Sequence, residues 1–313
     1  MLELWCGNAV TLSTRSALLL IIPPLTWAAN AVIGRLLAHS VPPMHLNGLR
    51  WLGALIVLLP LGWRVLATPE RRAEIRARWR SLALLGLLGV TAYNSFQYLA
   101  LQTSTPLNVT LIASSGPVWM LLIGIFFYGE RARGRQWLGA LLSALGVMTV
   151  MLRGDPARLA ELRLVPGDAW MMLAAVCWSF YSWQLARPPR LMDGTHRPAW
   201  NWSEFLLLQV IFGLLFSGLA TGAEAWLAPS AIAWSPGVVL ALVFLAVAPS
   251  VLAFRCWGAG IAAAGPATAA FFANLTPLFA ALMSLTMLGE SPRLYHGVAF
   301  ALIGAGIVVS SRR

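Results

Sequence analysis

Polar and aromatic side chains interrupt the long apolar stretches of this chain, and their types suit the binding of a small ligand. An amide that faces lipid leaves its polar atoms unpaired at a high cost, so an amide in an apolar stretch favours a cavity or a buried partner. Tryptophan and tyrosine add flat apolar walls with one donor each, which suits an amphipathic or aromatic solute. The candidate substrate-binding residues are Trp27, Asn30, Tyr93, Asn94, Gln97, Ser114, Trp119, Trp178, Tyr181, Trp257, Phe271 and Asn274.

The aromatic candidates have a second interpretation. Tryptophan is enriched at the membrane–water interface and also packs against lipid. The chain has 15 Trp, and the sequence alone does not separate those that line a cavity from those that lie at the interface.

Three prolines lie beside these candidates. A proline inside a helix frees backbone carbonyls, and irregular backbone at membrane depth is tolerated where it lines a cavity. We therefore expect Pro117, Pro249 and Pro277 to act as hinges or gating elements next to the binding site.

The titratable residues do not form a catalytic pattern. The acids lie in loops or at the ends of apolar stretches, the four histidines lack metal-ligand spacing, and the three cysteines are far apart in the sequence. A membrane-embedded transferase would need an acid–base or metal constellation at a membrane face, and an ATP-driven pump would need a phosphate-binding loop. We predict no catalytic residue, no metal and no cofactor.

Charged residues near or within the apolar stretches allow more than one role. No carboxylate lies at the middle of a stretch, which argues against simple carboxylate-driven proton antiport. Glu130 and Glu290 each precede a helix start and are expected to stabilise it through the helix dipole, with gating as the alternative. Arg35, Arg50 and Arg255 either extend to the nearest membrane surface or contact a substrate carboxylate.

The composition is that of an integral membrane protein. The chain is 59% hydrophobic and 11% charged, and a span needs about 20 apolar residues. Only helices satisfy the backbone of stretches this long in lipid, so we predict an all-α polytopic membrane protein. The ten predicted spans are 16–38, 43–66, 80–102, 105–128, 134–152, 167–187, 201–222, 235–258, 265–288 and 293–311.

The arginines predict the orientation of these spans. All 22 basic residues are arginine; with the N-terminus inside, sixteen fall on the inner side and four on the outer side. Basic residues favour the cytoplasmic side, so both termini are expected to be cytoplasmic, in a bacterial inner membrane. The net charge of +11 is explained by this topology and does not indicate a nucleic-acid partner.

An internal repeat organises the spans. Residues 106–153 match residues 266–313 without a gap at a shift of 160 positions, with Pro117 on Pro277 among the identities. Repeats of this kind indicate a duplicated structural unit.

The repeat predicts two five-helix domains, 16–152 and 167–311. Because five is odd, the second domain must be inverted in the membrane relative to the first. Inverted repeats with a site between them are typical of secondary transporters.

Several segments carry a recognisable pattern. They are Ala248-Pro-Ser-Val-Leu-Ala-Phe-Arg-Cys-Trp257, Gly265-Pro-Ala-Thr-Ala-Ala270, Asn274-Leu-Thr-Pro277 and Leu288-Gly-Glu290, with a looser first-half copy from Thr105-Pro-Leu-Asn-Val-Thr110 to Gly129-Glu130. Together they resemble the EamA-type transporters of the drug/metabolite transporter superfamily. The resemblance implies an exporter; members export aromatic amino acids, threonine and homoserine, cysteine metabolites or cationic drugs.

The leading hypothesis is export of small amphipathic metabolites, with amino acids as substrates and aromatic ones favoured. The alternatives are a multidrug or cationic-metabolite exporter of the same fold, a membrane-embedded transferase, and a channel, which the lack of a charged ring or filter motif disfavours. The expected partners are a small-molecule substrate and the lipid bilayer. The sequence does not predict the oligomeric state, and a monomer is compatible with it.

Overall fold

A computed structural model describes residues 13–37, 40–104, 109, 112–161, 165–288 and 293–311. All the regular elements within these residues are helical, in agreement with the predicted all-α class. The α-helices are α1 Thr14–Leu37, α2 Pro43–Gly62, α3 Pro69–Ala77, α4 Trp79–Leu85, α5 Tyr93–Thr103, α6 Gly116–Tyr128, α7 Gly134–Met151, α8 Pro166–Ala186, α9 Trp202–Leu227, α10 Pro236–Ala246, α11 Ala253–Ala264, α12 Pro266–Ala273, α13 Leu275–Leu288 and α14 Leu294–Ser311. Short 3₁₀ turns are Trp63–Leu66, Pro156–Glu161, Arg190–Met192 and Gly194–His196.

Two π-helical segments interrupt otherwise continuous helices. Gly86–Ala92 joins α4 to α5, and Val247–Leu252, which contains Pro249, joins α10 to α11. The shift of 160 positions that relates the repeats brings these two segments onto each other. Each half of the chain therefore carries one irregular helix at the corresponding place. π-helical turns often occur at functional sites.

The helices make the chain a multi-pass membrane protein. Six of them, among the residues described, are long and apolar enough to cross a membrane. The number ten stays a prediction, because the helices at the other predicted spans are shorter or more polar; α5, for example, contains Asn94 and Gln97. The six are Thr14–Gly34, Pro43–Leu66, Trp202–Leu227, Pro236–Ala264, Pro266–Met283 and Leu294–Ser311.

Helices α7 and α14 pack closely through small residues. A Cβ atom added at Gly139 would lie 2.8 Å from the carbonyl oxygen of Gly306, and one added at Gly146 would lie 3.0 Å from that of Ala299. The two helices are antiparallel, because residue 139 contacts residue 306 whereas the later residue 146 contacts the earlier residue 299. The contacts are also reciprocal, since 139 corresponds to 299 and 146 to 306 in the repeat. Reciprocal contacts are the mark of a two-fold relation.

The connections between helices gather at two opposite faces. On one face, Arg78 donates to the carbonyl oxygens of Leu191 and His196, both at 2.7 Å. On the other, the Ser40 carbonyl accepts from the Ala233 N–H at 2.9 Å. We call the first the arginine-rich face; it comprises residues 63–80, 129–135 and 187–204.

The buried acids lie at helix ends, as expected for acids outside the middle of a span. The carboxylate of Asp168 accepts from the Val165 N–H at the start of α8, and that of Glu204 accepts from the Asn201 N–H at the start of α9, both at 2.9 Å. Glu224, near the end of α9, accepts from the backbone N–H of Met44 at the start of α2.

The expected helix-capping role of Glu130 is wrong. Helix α7 is capped by Gln136, whose side chain accepts from the Arg133 N–H at 2.9 Å. Glu130 instead pairs with Arg187 at 2.6 Å, because the turn after α6 brings it to the end of α8. Its counterpart Glu290 lies outside the described residues.

Candidate binding cavity

A cavity of about 160 Å³ lies between the two halves of the chain. Helices α1, α2, α5 and α6 contribute from the first half, and α8, α11, α12 and α13 from the second. In α1 the lining residues run from Trp27 to Gly34, so the cavity is displaced away from the arginine-rich face.

Nine of the twelve candidate residues line this cavity. The structure brings the amides and three tryptophans together although they come from five separate parts of the chain. These nine are Trp27, Asn30, Tyr93, Asn94, Gln97, Ser114, Trp178, Trp257 and Asn274. Their role in binding a substrate stays a prediction.

The other three candidates lie outside the cavity lining. The Tyr181 hydroxyl donates to Gln209 at 3.0 Å in the buried interior, and Phe271 packs in the hydrophobic core. The indole of Trp119 donates to the hydroxyl of Ser115 in the preceding turn at 3.0 Å. Each has a structural partner that the sequence did not indicate.

The three expected hinge prolines all lie next to the cavity. Pro277 lines it, one turn after the break between α12 and α13 at Asn274. Pro117 is in the first turn of α6, after the bend at 114–115. Pro249 lies in the second π segment, where its carbonyl accepts from the Trp27 indole at 3.3 Å. Motion about these prolines is not tested by the structure.

Trp178 is the centre of an aromatic cluster on the wall of the cavity. The indoles of Trp27 and Trp257 already have acceptors, the Pro249 carbonyl and the Ser182 hydroxyl respectively. The Trp178 indole has no acceptor among the residues described. Its ring contacts, measured between centroids, are Tyr93 at 4.9 Å, Trp27 and Tyr181 at 5.1 Å, Trp257 at 5.4 Å and Phe254 at 5.5 Å.

Corresponding residues of the two halves line the same cavity. Under the shift of 160 positions, Asn94 corresponds to Phe254 and Gln97 to Trp257, and all four line it. The positions therefore match while the chemistry differs. At these two positions the first half supplies amides and the second half supplies aromatic rings. The lining as a whole is mixed, because Trp27 and Tyr93 of the first half belong to the aromatic cluster and Asn274 of the second half is an amide.

Arg50 lines the cavity although it is not among the twelve candidate residues. It is 1% exposed, so the expectation that it extends to the membrane surface is wrong. It projects inward because α2 presents it to polar groups on three other helices. Its guanidinium donates to Ser250 Oγ at 2.6 Å, Asn94 Oδ1 at 3.0 Å, the Pro249 carbonyl at 3.3 Å, and Asn30 Oδ1 and the Tyr98 hydroxyl at 3.4 Å.

The other two span arginines differ from Arg50. Arg255 is exposed and lies over the ring of Trp202, 4.3 Å from its centroid, at the start of α9. Its extension to the membrane surface stays a prediction. The side chain of Arg35 lies outside what the structure describes.

Two further lining residues could have been found in the sequence. Tyr98 follows Asn94 by four positions, so both lie on one face of α5. Phe254 follows from applying the repeat to Asn94. The signal that was not used is that the repeat places an aromatic residue at the position corresponding to a candidate amide.

A second cavity, of about 470 Å³, opens towards the arginine-rich face. Trp183 lies between the two cavities: it lines the second one, and its indole donates at 2.8 Å to the carbonyl of Met120, which lines the first. The Trp183 ring stacks on Tyr128 at 4.8 Å and fills the notch left by Gly124, where a Cβ would lie 2.5 Å from it. These contacts join α6 of the first half to α8 of the second.

A multi-pass helical chain with an internal cavity lined by corresponding residues of two similar halves has the form of a membrane carrier. A model of the EamA-like transporter family matches residues 14–152 and 165–312. The chain belongs to this family and carries its domain twice, and the resemblance predicted from the sequence is confirmed. Trp27 and Trp178 lie at the same offset within the two matched segments.

Relatives of similar length have transporter names. The chain is 24% identical over 308 residues to a probable amino-acid metabolite efflux pump of Salmonella typhimurium, covering 96% of this chain and 95% of the relative. It is 26% identical over 306 residues to a probable terminal-alkyne amino-acid exporter of Streptantibioticus cattleyicolor, covering 94% and 92%. A solved crystal structure with 23% identity covers 94% of both chains with a TM-score of 0.73, which shows a shared fold.

Proposed function

We propose that this protein is a secondary transporter that exports small amphipathic metabolites, with amino acids, and aromatic ones in particular, as the leading substrates. The observation that carries the proposal is the cavity between the halves, lined by four amides and by the aromatic cluster around Trp178. Such a pocket matches a solute with a polar head and a flat apolar body. The names of the two amino-acid exporters in the family support the same substrate class.

The proposed architecture is ten membrane spans in two inverted five-helix domains, 16–152 and 167–311. The antiparallel, reciprocal packing of α7 against α14 supports the inversion, because corresponding helices of inverted repeats must run in opposite directions. We place the arginine-rich face in the cytoplasm of a bacterial inner membrane, with both termini on that side.

Transport is proposed to occur by alternating access. The central cavity is displaced away from the arginine-rich face, and the packing of Trp183 separates it from the second cavity. In the proposed orientation this arrangement is closed towards the cytoplasm. The Glu130–Arg187 pair joins the same two helices at that face, so we assign Trp183 and this ion pair to the inner gate. Export requires both to separate.

Two alternatives have less support. A cationic-drug exporter would benefit from an acidic group in the cavity, and the described lining residues include no Asp or Glu. A membrane-embedded transferase would need clustered acids, histidines or a metal, and the described residues contain no such cluster. We therefore propose that the protein is not an enzyme.

The test is counterflow of labelled amino acids in proteoliposomes, with and without a proton gradient. Exchange of phenylalanine and tryptophan without a gradient is the expected result. Competition by either one should reduce uptake of the other. Absence of exchange for every amino acid would overturn the substrate proposal.

A further inference from the structure

We infer that the cavity recognises its substrate by a carboxylate, bound beside Asn30 in front of Arg50, and that the substrate's ammonium group is dispensable. The inference rests on the proposed transport function. It names the chemical class of the substrate as an organic anion with an apolar, aromatic body.

The first observation is the charge of Arg50. An arginine is always protonated in proteins, and a buried charge is costly unless it is paired. All the hydrogen-bond acceptors of Arg50 are neutral groups. The ion pairs of the described chain are His45–Glu224, Arg71–Glu204 and Arg187–Glu130, and none of them includes Arg50. The wall of the cavity therefore carries an uncompensated positive charge.

The second observation is the orientation of the amides around this charge. Arginine donates but does not accept, so Asn30 and Asn94 turn their oxygens towards it. The NH₂ group of Asn94 then donates to the carbonyls of Gly89 and Val90 in the first π segment, at 3.1 and 3.2 Å.

The NH₂ group of Asn30 has no acceptor in the described part of the chain, and Asn30 lines the cavity. Its oxygen is already used by Arg50 and by the Tyr98 hydroxyl. Asn30 therefore offers the cavity a donor and not an acceptor. A donor backed by a positive charge binds an anion, since charge-assisted hydrogen bonds to a carboxylate are the strong ones.

The third observation is what the cavity lacks for a cation. The described lining residues include no carboxylate to pair with an ammonium group. The rings of Trp178, Trp257 and Phe254, which also line the cavity, accept a flat apolar body. A zwitterion therefore gains from its carboxylate and not from its ammonium. An amine without a carboxylate keeps the contact of its apolar body with these rings, but its charge is repelled by Arg50.

The experiment compares three probes that share one phenyl body: 3-phenylpropionate, phenylalanine and phenethylamine. Binding to the purified full-length protein is measured by calorimetry. We expect 3-phenylpropionate to bind at least as tightly as phenylalanine, and phenethylamine to bind about tenfold more weakly or worse, because a like charge in the site is repelled.

Two variants test the charge itself. Arg50→Gln should weaken 3-phenylpropionate binding by about tenfold or more and remove the discrimination against phenethylamine. Because this variant can fail to fold, Asn30→Asp provides a second test: it keeps Arg50 and places a carboxylate within its reach. It should cancel the charge and abolish the preference for the anion. Arg255→Gln removes an equal charge outside the cavity and should leave all three affinities unchanged.

The outcomes separate this inference from the proposed function. Two results overturn the inference: phenethylamine binds as tightly as 3-phenylpropionate, or the folded variants Arg50→Gln and Asn30→Asp still prefer the anion. If phenylalanine is still exchanged in proteoliposomes, the proposed function stands and only the inference fails. Failure of all three probes to bind, together with no exchange of any amino acid, overturns both.

Discussion

The side chains of the cavity divide into those that bond to each other and those left for a ligand. Arg50 uses the oxygens of Asn30, Asn94 and Tyr98, and Trp27 uses the Pro249 carbonyl. Fewer polar groups are therefore available to a ligand than the number of polar lining residues suggests, because most of these groups are hydrogen-bonded to other residues of the protein. Asn30 and Trp178 are among the donors that these hydrogen bonds leave unused in the described lining residues.

Substitution of Trp178 by alanine should reduce both stability and transport. Loss of a buried tryptophan side chain costs about 3–5 kcal/mol, and Trp178 contacts five other aromatic rings. Thermal unfolding in detergent and phenylalanine counterflow measure the two effects. Trp226→Ala is the matched control, because Trp226 is 83% exposed. Equal melting temperatures for the two variants would contradict the role of Trp178.

At the residue scale the sequence predicted the amides better than the aromatic residues. An amide such as Asn94 inside an apolar stretch has few alternatives to a polar interior, so its position is informative. A tryptophan or phenylalanine gains from burial in a cavity wall and in a packed core alike, which is why Phe271 was included wrongly among the lining residues. The two alternatives for Arg50, the membrane surface or a substrate carboxylate, stayed open in the sequence because depth along a helix does not indicate which face carries the residue.

At the scale of elements, α7 and α14 form the most closely packed pair in the fold. Gly306→Val should destabilise the protein by about 1–3 kcal/mol through overpacking, because its Cβ would lie 2.8 Å from the Gly139 carbonyl. Gly304→Val, on the same helix with nothing within 4 Å, is the control for the change in residue type. Thermal unfolding compares them. A Gly304 variant that is the less stable of the two would refute this packing.

The Glu130–Arg187 ion pair should bias the equilibrium of the inner gate. Its side chains are 40% and 55% exposed, so the pair contributes up to about 1 kcal/mol, and 1 kcal/mol changes a population ratio about fivefold. Glu130→Gln should therefore open the gate more often, measured as faster alkylation of Met120→Cys from the arginine-rich face.

The charge-swapped double variant Glu130→Arg/Arg187→Glu is the control for this prediction. It should restore the slow alkylation rate, because the attraction is re-formed with opposite signs. If the swapped variant alkylates as fast as Glu130→Gln, the ion pair has no gating role.

The elements were predicted well where composition determines them. The all-α class, for example, was predicted from the hydrophobic composition, and the described elements are helical. The two π segments and the Trp183 notch were not predicted, because wide turns and notches depend on which residues meet from distant parts of the chain. Glu130 was misassigned for the same reason: its partner Arg187 is far away in the sequence.

At the scale of the whole molecule, the proposed inverted topology predicts which loops face which side. In a background without the natural cysteines, Ala73→Cys and Ser311→Cys should react with an impermeant maleimide only from the cytoplasmic side. Ser230→Cys and Ala157→Cys should react only from outside. Labelling of Ser311→Cys and Ser230→Cys from the same side would contradict the topology.

The repeat is the sequence feature that predicts most about the whole molecule. It predicted the duplication that the two family matches report, and it relates the residues that meet across the cavity. The repeat did not predict that Asn94 and Gln97 of the first half correspond to aromatic lining residues of the second, Phe254 and Trp257, because that difference lies in the positions that are not identical.

The most direct test of the central claim asks whether substrate passes through the cavity between the halves. Ala273→Cys, in a background without the natural cysteines, places a thiol on the cavity wall at a half-buried position, and Ser230→Cys in an exposed loop is the control. We predict that phenylalanine slows alkylation of Ala273→Cys alone, and that alkylation there abolishes phenylalanine counterflow in proteoliposomes. Undiminished counterflow with the cavity cysteine fully alkylated would contradict the claim.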